Sequence, residues 1–307
     1  MSDTHDSLSP FHPDAPEELY ASWRTHKMLH HPTSAEEIMV DVADPYHLAD
    51  DEQRAIKERL GRCNMAIYRT PLGSLDDPQI AAALLTKLTG QLRVDHNPLS
   101  NADGVTPITP SDGEKSHFIP YRTDKLSWHT DGYYNRPEKT VRSLILHCVN
   151  AAVHGGENAL LDHEILYMRL RDEDADHIRA LMLPDALTIP AHILDGVEKR
   201  PARSGPIFEI EANGTLLTRY TARKRNIQWR NDPASQAALA ALRRIISEEQ
   251  QFLIRATLRP GWGLLCNNVI HDRSQFSPPQ TGEAKRLLYR IRCLDRIPVT
   301  VPPRQPE

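Results

Sequence analysis

Apolar positions recur every three or four residues in several stretches of the chain, and there the spacing predicts amphipathic helices. "ADDEQRAIKERL" (49–60) is one, ended by Gly61. "DDPQIAAALLTKLTGQL" (76–92) is a second, with two aspartates to cap it and Pro78 in its first turn. "PASQAALAALRRIISEEQQF" (233–252) is the clearest, with Leu239, Leu242, Ile245 and Ile246 on one stripe. Shorter apolar runs predict strands: "NMAIYRT", "VRSLILHCVN" (141–150), "GLLCNNVIH" and "RLLYRIRCL". In "HGGENALLDHEILYMRLRDED" a Gly-Gly turn leads to a strand, then to a helix capped near Asp162. Residues 95–120, rich in Pro, Gly, Ser and Asn, predict a long loop of the kind that forms lids or binding loops.

Strands bracket the chain's polar motifs, while helices come early or as insertions. A doubly wound parallel sheet would alternate strand and helix regularly and carry a Gly-rich phosphate turn, and neither is present. The expected class is mainly β with added helices (α+β), on an antiparallel core such as a double-stranded jelly roll. Residues 1–33, rich in Pro, His and acid, are expected to form an N-terminal arm. Residues 34–307 are expected to form a single domain with helical insertions.

Composition narrows the function classes. The net charge is −4 with histidine neutral, which gives no global basic field for nucleic acid or an anionic membrane. No apolar run approaches the ~18 residues that span a bilayer. Cys63, Cys148, Cys266 and Cys293 are scattered, with no C-x-x-C pair, and read as reduced, buried thiols. With no signal-peptide pattern at the N-terminus, a cytoplasmic location is expected. Homo-oligomerisation is compatible with all of this.

The candidate chemistry starts at "LSWHTDGYYN" (126–135). On a strand, His129 and Asp131 share one face, ~6.6 Å apart at ~3.3 Å per residue. An imidazole and a carboxylate so placed can take adjacent positions on one metal ion. A third ligand would complete the 2-His-1-carboxylate facial triad that suits non-haem Fe(II). The same pattern arises by chance at His12-Pro13-Asp14, in the Pro-rich arm. "PGWGLLCNNVIHDRSQF" (260–276) delivers His271 at the end of an apolar strand. Beyond it, Arg286, Leu288, Arg290 and Arg292 share one face of "RLLYRIR", and three arginines inside a fold require anions to meet them. A solvent-facing strand would need none. In "TRYTARKRNIQWR" (218–230), cations stand beside Tyr220 and Trp229; such a stretch could line a substrate entrance, bind nucleic acid through phosphates and stacking, or form a solvated face.

W-H-T-D, then G-G-E-N at 155–158, P-G-W-G…N-N-x-x-H-D-R and R-x-x-x-R together resemble the taurine dioxygenase/2,4-D dioxygenase family, from about Trp128 to Arg292. The resemblance implies a double-stranded β-helix and an Fe(II)- and 2-oxoglutarate-dependent dioxygenase that consumes O2, releases succinate and CO2, and hydroxylates an unactivated C–H. His129, Asp131 and His271 would be the iron ligands. Arg286 would pair with the distal carboxylate of 2-oxoglutarate, and Asn158 stands where the family has a threonine that touches the same carboxylate. Arg290 would face the substrate pocket, and Lys125 stands where the taurine enzyme has an asparagine. With Tyr220 at the entrance, these residues imply a small anionic substrate other than taurine. Two other classes use the same residues: a zinc hydrolase on the His/Asp/His set, and a non-catalytic β-barrel that binds an anion on the arginine face.

Overall fold

The computed structural model describes residues 9–71, 76–91, 93–97, 99–113, 119–278 and 284–299. The first half of the chain holds α1 (Glu17–His30), β1 (Met39–Asp41), α2 (Asp50–Cys63), β2 (Met65–Arg69), α3 (Gln79–Thr89), β3 (Thr106–Ile108), β4 (Leu126–His129) and β5 (Ser143–Asn150). β6 (Asn158–Leu161), α4 (His163–Glu173) and α5 (Ala175–Leu181) follow. Seven short strands come next: β7 (Leu187–Ile189), β8 (His192–Leu194), β9 (Val197–Arg200), β10 (Arg203–Gly205), β11 (Phe208–Ile210), β12 (Leu216–Thr218) and β13 (Gln228–Trp229). The chain closes with α6 (Pro233–Glu248), β14 (Leu253–Ala256), β15 (Trp262–Cys266), β16 (Ile270–Arg273) and β17 (Leu287–Cys293). No helix among the described residues is long and apolar enough to cross a membrane.

The chain divides into two compact units. Residues 32–162 and 253–307 make a β unit; residues 1–31 and 163–252 make a helical one. The boundaries differ from the expected arm at 1–33 and single domain at 34–307. Residues 1–8 lie outside the described residues, but 17–30 form α1. Phe11, Trp23, Tyr167 and Phe208 stack edge to face within the helical unit. Lys27 also pairs with Glu164 at 2.6 Å on α4, with both side chains buried or nearly so. Aromatic residues spaced among the prolines and acids give this segment enough apolar surface to fold onto α4.

In the β unit, one sheet runs β1-β2-β15-β5-β17-β3 and the other β14-β6-β16-β4. Side-chain alternation divides the strands between two cores. Leu144, Leu146, Cys148, Leu264, Cys266 and Leu288 of the six-stranded sheet meet Leu160, Ile254 and Ala256 of the four-stranded sheet, forming the jelly-roll interior. The intervening residues Ala66, Tyr68, Ile145, Leu265 and Ile291 face the other way. There they pack under Ile56 and Leu60 of α2 and Ile80, Leu84, Leu85 and Leu88 of α3. The expected class, mainly β with added helices on a jelly-roll core, is the observed one.

Three sequence expectations are corrected. α2 passes through Gly61 and ends at Asn64 in the left-handed region, φ 60°. Burial of Ile56, Leu60 and Cys63 along one stripe outweighs the ~1 kcal/mol that a helical glycine costs. "GLLCNNVIH" is not one strand: the chain turns at Asn267-Asn268 and passes from β15 in one sheet to β16 in the other. Within the long loop, β3 pairs with β17 as a sheet edge; residues 98 and 114–118, part of the expected lid, lie outside the described residues.

Candidate active site

β4 and β16 pair antiparallel, with His129 directly opposite His271 and an irregularity just beyond. The two imidazole centroids are 4.3 Å apart. β4 ends at His129, so Asp131 reaches the same side from the first position of a turn rather than from the strand. Gly132, at φ 67°, carries that turn, and a Cβ there would stand 2.5 Å from the Val141 side chain. His129, Asp131 and His271 are all buried, and their ligand atoms lie within 4.8 Å of one another. Nε2 of His129 is 3.8 Å from a carboxylate oxygen of Asp131.

The hydrogen bonds around the three groups fix their roles. Nδ1 of His129 donates to the Ser127 carbonyl and Nδ1 of His271 to the Val269 carbonyl, each at 2.9 Å. A carbonyl only accepts, so Nδ1 carries a proton, and in the neutral ring this tautomer leaves the Nε2 lone pair for a metal. Burial pushes the His129 pKa down to about 3, assisted by the neighbouring His271 and opposed by Asp131, so the ring is neutral. For Asp131 burial acts upward, but Arg290 and then Arg292 outweigh it and keep the carboxylate ionised, below its ordinary range. Two imidazoles and one carboxylate, with their ligand atoms gathered on one side of a pocket, match the facial-triad donor set.

Sequence reasoning gave no role to Asn268, which lies in the turn between β15 and β16. It sits at φ 49°, a conformation asparagine tolerates better than most residues. Its Oδ1 accepts from the Asp131 N–H at 2.8 Å. Its Nδ2 donates to the Asp131 carbonyl at 3.0 Å and to the Val141 carbonyl at 2.7 Å. One side chain therefore fastens the backbone of Asp131 to the turn that leads to His271.

Arg290 and Arg292 of β17 share the barrel face with Leu288 of the interior core, and Arg286 lies just before the strand. The three arginines differ in what they meet. Arg290 Nη1 lies 3.3 Å from each carboxylate oxygen of Asp131. Arg292, 3% exposed, pairs with buried Asp95 at 2.5 Å and donates to the Tyr134 hydroxyl at 3.1 Å. Asp95 also accepts from Asn135 at 3.1 Å, so the turn after Asp131 is tied to β17. Arg286 is 7% exposed and, among the described residues, has no hydrogen-bond or ion-pair partner. Burial pushes its pKa down. Its guanidinium sits 5.1 Å from the Phe276 ring centroid, and that of Arg273 sits 4.8 Å from the same ring. Arg273 donates to the carbonyls of Pro120, Arg122 and Asp124, which anchors the segment entering β4.

The G-G-E-N motif shapes this corner. A Cβ on Gly155 would stand 2.2 Å from the Gln275 carbonyl oxygen, so only glycine admits that backbone. Gly156 leaves room for Arg286, whose Nε would lie 3.4 Å from a Cβ there. Asn158, 5% exposed, stands opposite Arg273 on one side and Ala256 on the other.

A sequence profile of the taurine catabolism dioxygenase TauD, TfdA family matches residues 25–292, most of the chain. The chain belongs to that family. Among curated relatives, a uridine-5'-phosphate dioxygenase from Amycolatopsis sp is 29% identical over 172 residues, covering 53% of this chain and 58% of that protein. A uridine-5'-phosphate dioxygenase from Streptomyces sp is 30% identical over 191 residues, covering 61% and 67%. The matches thus span between about half and two thirds of either chain. The fold is shared with an asparagine oxygenase solved with Fe(II), 2S,3S-3-hydroxyasparagine and succinate: TM-score 0.55, 15% identity, 84% of this chain and 93% of that one. It is also shared with the non-heme iron oxygenase OrfP solved with Fe and alpha-ketoglutaric acid: TM-score 0.56, 18% identity, 80% of each chain.

Within this TauD/TfdA member, two residues expected at the substrate are engaged elsewhere. Lys125 is 63% exposed and pairs with Asp272 at 3.5 Å. Asp272 follows His271 on β16 and so projects from the opposite face. Tyr220 belongs to the helical unit, 1% exposed and 6.2 Å from Trp229, centroid to centroid. Burial pushes its pKa up to about 12, and its hydroxyl meets Arg243.

Proposed function

We propose that the protein is an Fe(II)- and 2-oxoglutarate-dependent dioxygenase that hydroxylates an unactivated C–H of a small anionic substrate and releases succinate and CO2. The observation that carries this reading is the buried His129/Asp131/His271 cluster, its ligand atoms within 4.8 Å of one another, set in a family built for that chemistry. Fe(II) together with 2-oxoglutarate and O2 supplies the oxidising power for attack on an unactivated C–H. The chain's own groups bind and orient. His129 and His271 offer Nε2, and Asp131 offers its carboxylate. Such a donor set would hold Fe(II) with positions left open for other ligands. Arg286, without an anion of its own among the described residues, would pair with the distal carboxylate of 2-oxoglutarate, and the buried amide of Asn158 would be a second donor to it. The apolar interior around Leu160, Cys148 and Leu288 keeps water away from the reacting centre.

Charge supports an anionic substrate. Arg273, Arg286, Arg290 and Arg292 are buried or nearly so, while the acids that meet them are Asp131 and Asp95. One carboxylate of 2-oxoglutarate leaves cationic charge over. The curated relatives carry the name of a phosphate-bearing substrate, uridine 5'-phosphate, which fits that surplus. The test is a screen of small phosphates, sulfonates and carboxylates, beginning with uridine 5'-phosphate, on protein purified without oxygen. Succinate release that depends on Fe(II) and rises with one of these anions is expected. Tightly held zinc, hydrolysis and no 2-oxoglutarate-dependent O2 uptake would overturn the reading.

A further inference from the structure

We infer that Arg290 is a positioning residue that sets the direction of the Asp131 carboxylate, and not the anchor for a substrate anion. The inference rests on the proposed role of Asp131 as a metal ligand. Asn268 already holds the main chain of Asp131 at both its N–H and its carbonyl. What remains free is rotation about two side-chain bonds. Arg290 is the group that restricts it, with Nη1 equidistant from both oxygens at 3.3 Å. The two side chains are 12% and 7% exposed, so water competes little for either.

The origin of that guanidinium is rigid. β17 lies between two neighbours, with Arg290 opposite Leu146 of β5 and Thr106 of β3. Asp131, by contrast, follows β4 in the other sheet. The ion pair therefore crosses the barrel and aims a carboxylate from one sheet with a cation fixed in the other. Arg292 cannot substitute, because Asp95 and Tyr134 occupy it. If a substrate anion took Arg290 away, Asp131 would lose its charge-assisted donor while still buried, which is costly. A carboxylate held this way would keep its charge paired while remaining available to a metal.

The experiment compares metal-free wild type with Arg290→Gln and Arg290→Lys, titrated with Co(II) by calorimetry and by the visible absorption of the bound ion. Arg290→Gln is expected to weaken Co(II) binding about 10- to 100-fold and to change the absorption bands, since an unsupported second shell loses about that much metal affinity. Arg290→Lys keeps the charge without the planar fork and should recover part of the loss. A merely structural role would lower the melting temperature of the folded variants but leave the spectrum and affinity of the bound ion alone. Co(II) affinity within twofold of wild type in both variants, with unchanged bands, overturns the inference. Failure of wild type to bind Co(II), or binding untouched by His129→Ala, overturns instead the metal reading on which it stands.

Discussion

Replacing Arg286 with methionine should move ligand affinity and fold stability in opposite directions. The side chain is 7% exposed and, among the described residues, meets no anion. Methionine keeps much of the volume and removes the charge. With 2-oxoglutarate bound, the change leaves a buried carboxylate unpaired, which costs about 2–5 kcal/mol. At ~1.4 kcal/mol per decade, that is roughly a 30- to 4,000-fold rise in the dissociation constant for 2-oxoglutarate. Without the ligand, the same change removes a buried cation that meets no anion among the described residues and whose charged form burial already disfavours. Replacing buried ion pairs with apolar groups of similar volume ranges from neutral to a gain of about 1–4 kcal/mol; a gain of that order here is offset by about 1 kcal/mol for the lost contact with the Phe276 ring. The metal-free variant should thus melt at the same temperature as wild type or a few degrees higher. The assays are calorimetric titration with 2-oxoglutarate in the presence of Co(II) and thermal denaturation of the metal-free protein. A melting point several degrees lower, combined with 2-oxoglutarate affinity within threefold of wild type, would refute the reasoning, because the arginine would then be satisfied by the protein itself.

Two further outcomes concern the fold and its pH response. Ile145 is fully buried on the helix-covered face, directly opposite Leu265 and Ile291, so Ile145→Ala should cost about 2–5 kcal/mol in urea denaturation. Co(II) affinity of the folded fraction should remain near wild type, because the side chain lies on the far face from the metal ligands. His129 is neutral in the folded metal-free protein, with a pKa pushed down to about 3, while the unfolded chain takes up that proton near pH ~6.5. The unfolded state therefore binds more protons between these values. This stability term is present above pH ~6.5 and is lost as pH falls towards 3. Urea midpoints of the metal-free protein at pH 7.5 and 5.5 should show the drop, and His129→Gln should flatten it.

Much of this site was legible in the sequence because its chemistry uses residues that sit badly elsewhere. Two histidines beside apolar runs, an aspartate two residues from one of them, and three arginines alternating with leucine and isoleucine all oppose burial. Their occurrence in otherwise apolar stretches pointed inward, and the structure gathers His129, Asp131 and His271 as that pattern requires. What sequence could not supply was the pairing of each arginine. Arg286, Arg290 and Arg292 are equivalent by periodicity, yet one is unpartnered among the described residues, one meets Asp131 and one meets Asp95, 197 positions earlier in the chain. Lys125 also has a partner that sequence does not show. The family resemblance puts it near the substrate, but it precedes the strand that begins at Leu126, and its ammonium pairs with Asp272. The turn at Asn267-Asn268 was hidden in an apolar run. Only the change of sheet between β15 and β16 reveals it.

That change of sheet explains why the ligands converge. Had "GLLCNNVIH" continued as one strand in the six-stranded sheet, His271 would have lain beyond its end, far along the sheet from β4. The left-handed Asn268 instead breaks the run, sends the chain across the barrel, and lets β16 pair between β6 and β4. The register then places His271 opposite His129. The asparagine that makes the turn also grips the backbone of Asp131. The residue that holds Asp131 is thus the one whose turn lets His271 arrive. The local backbone strain of a non-glycine residue at positive φ is sustained by the three hydrogen bonds it allows.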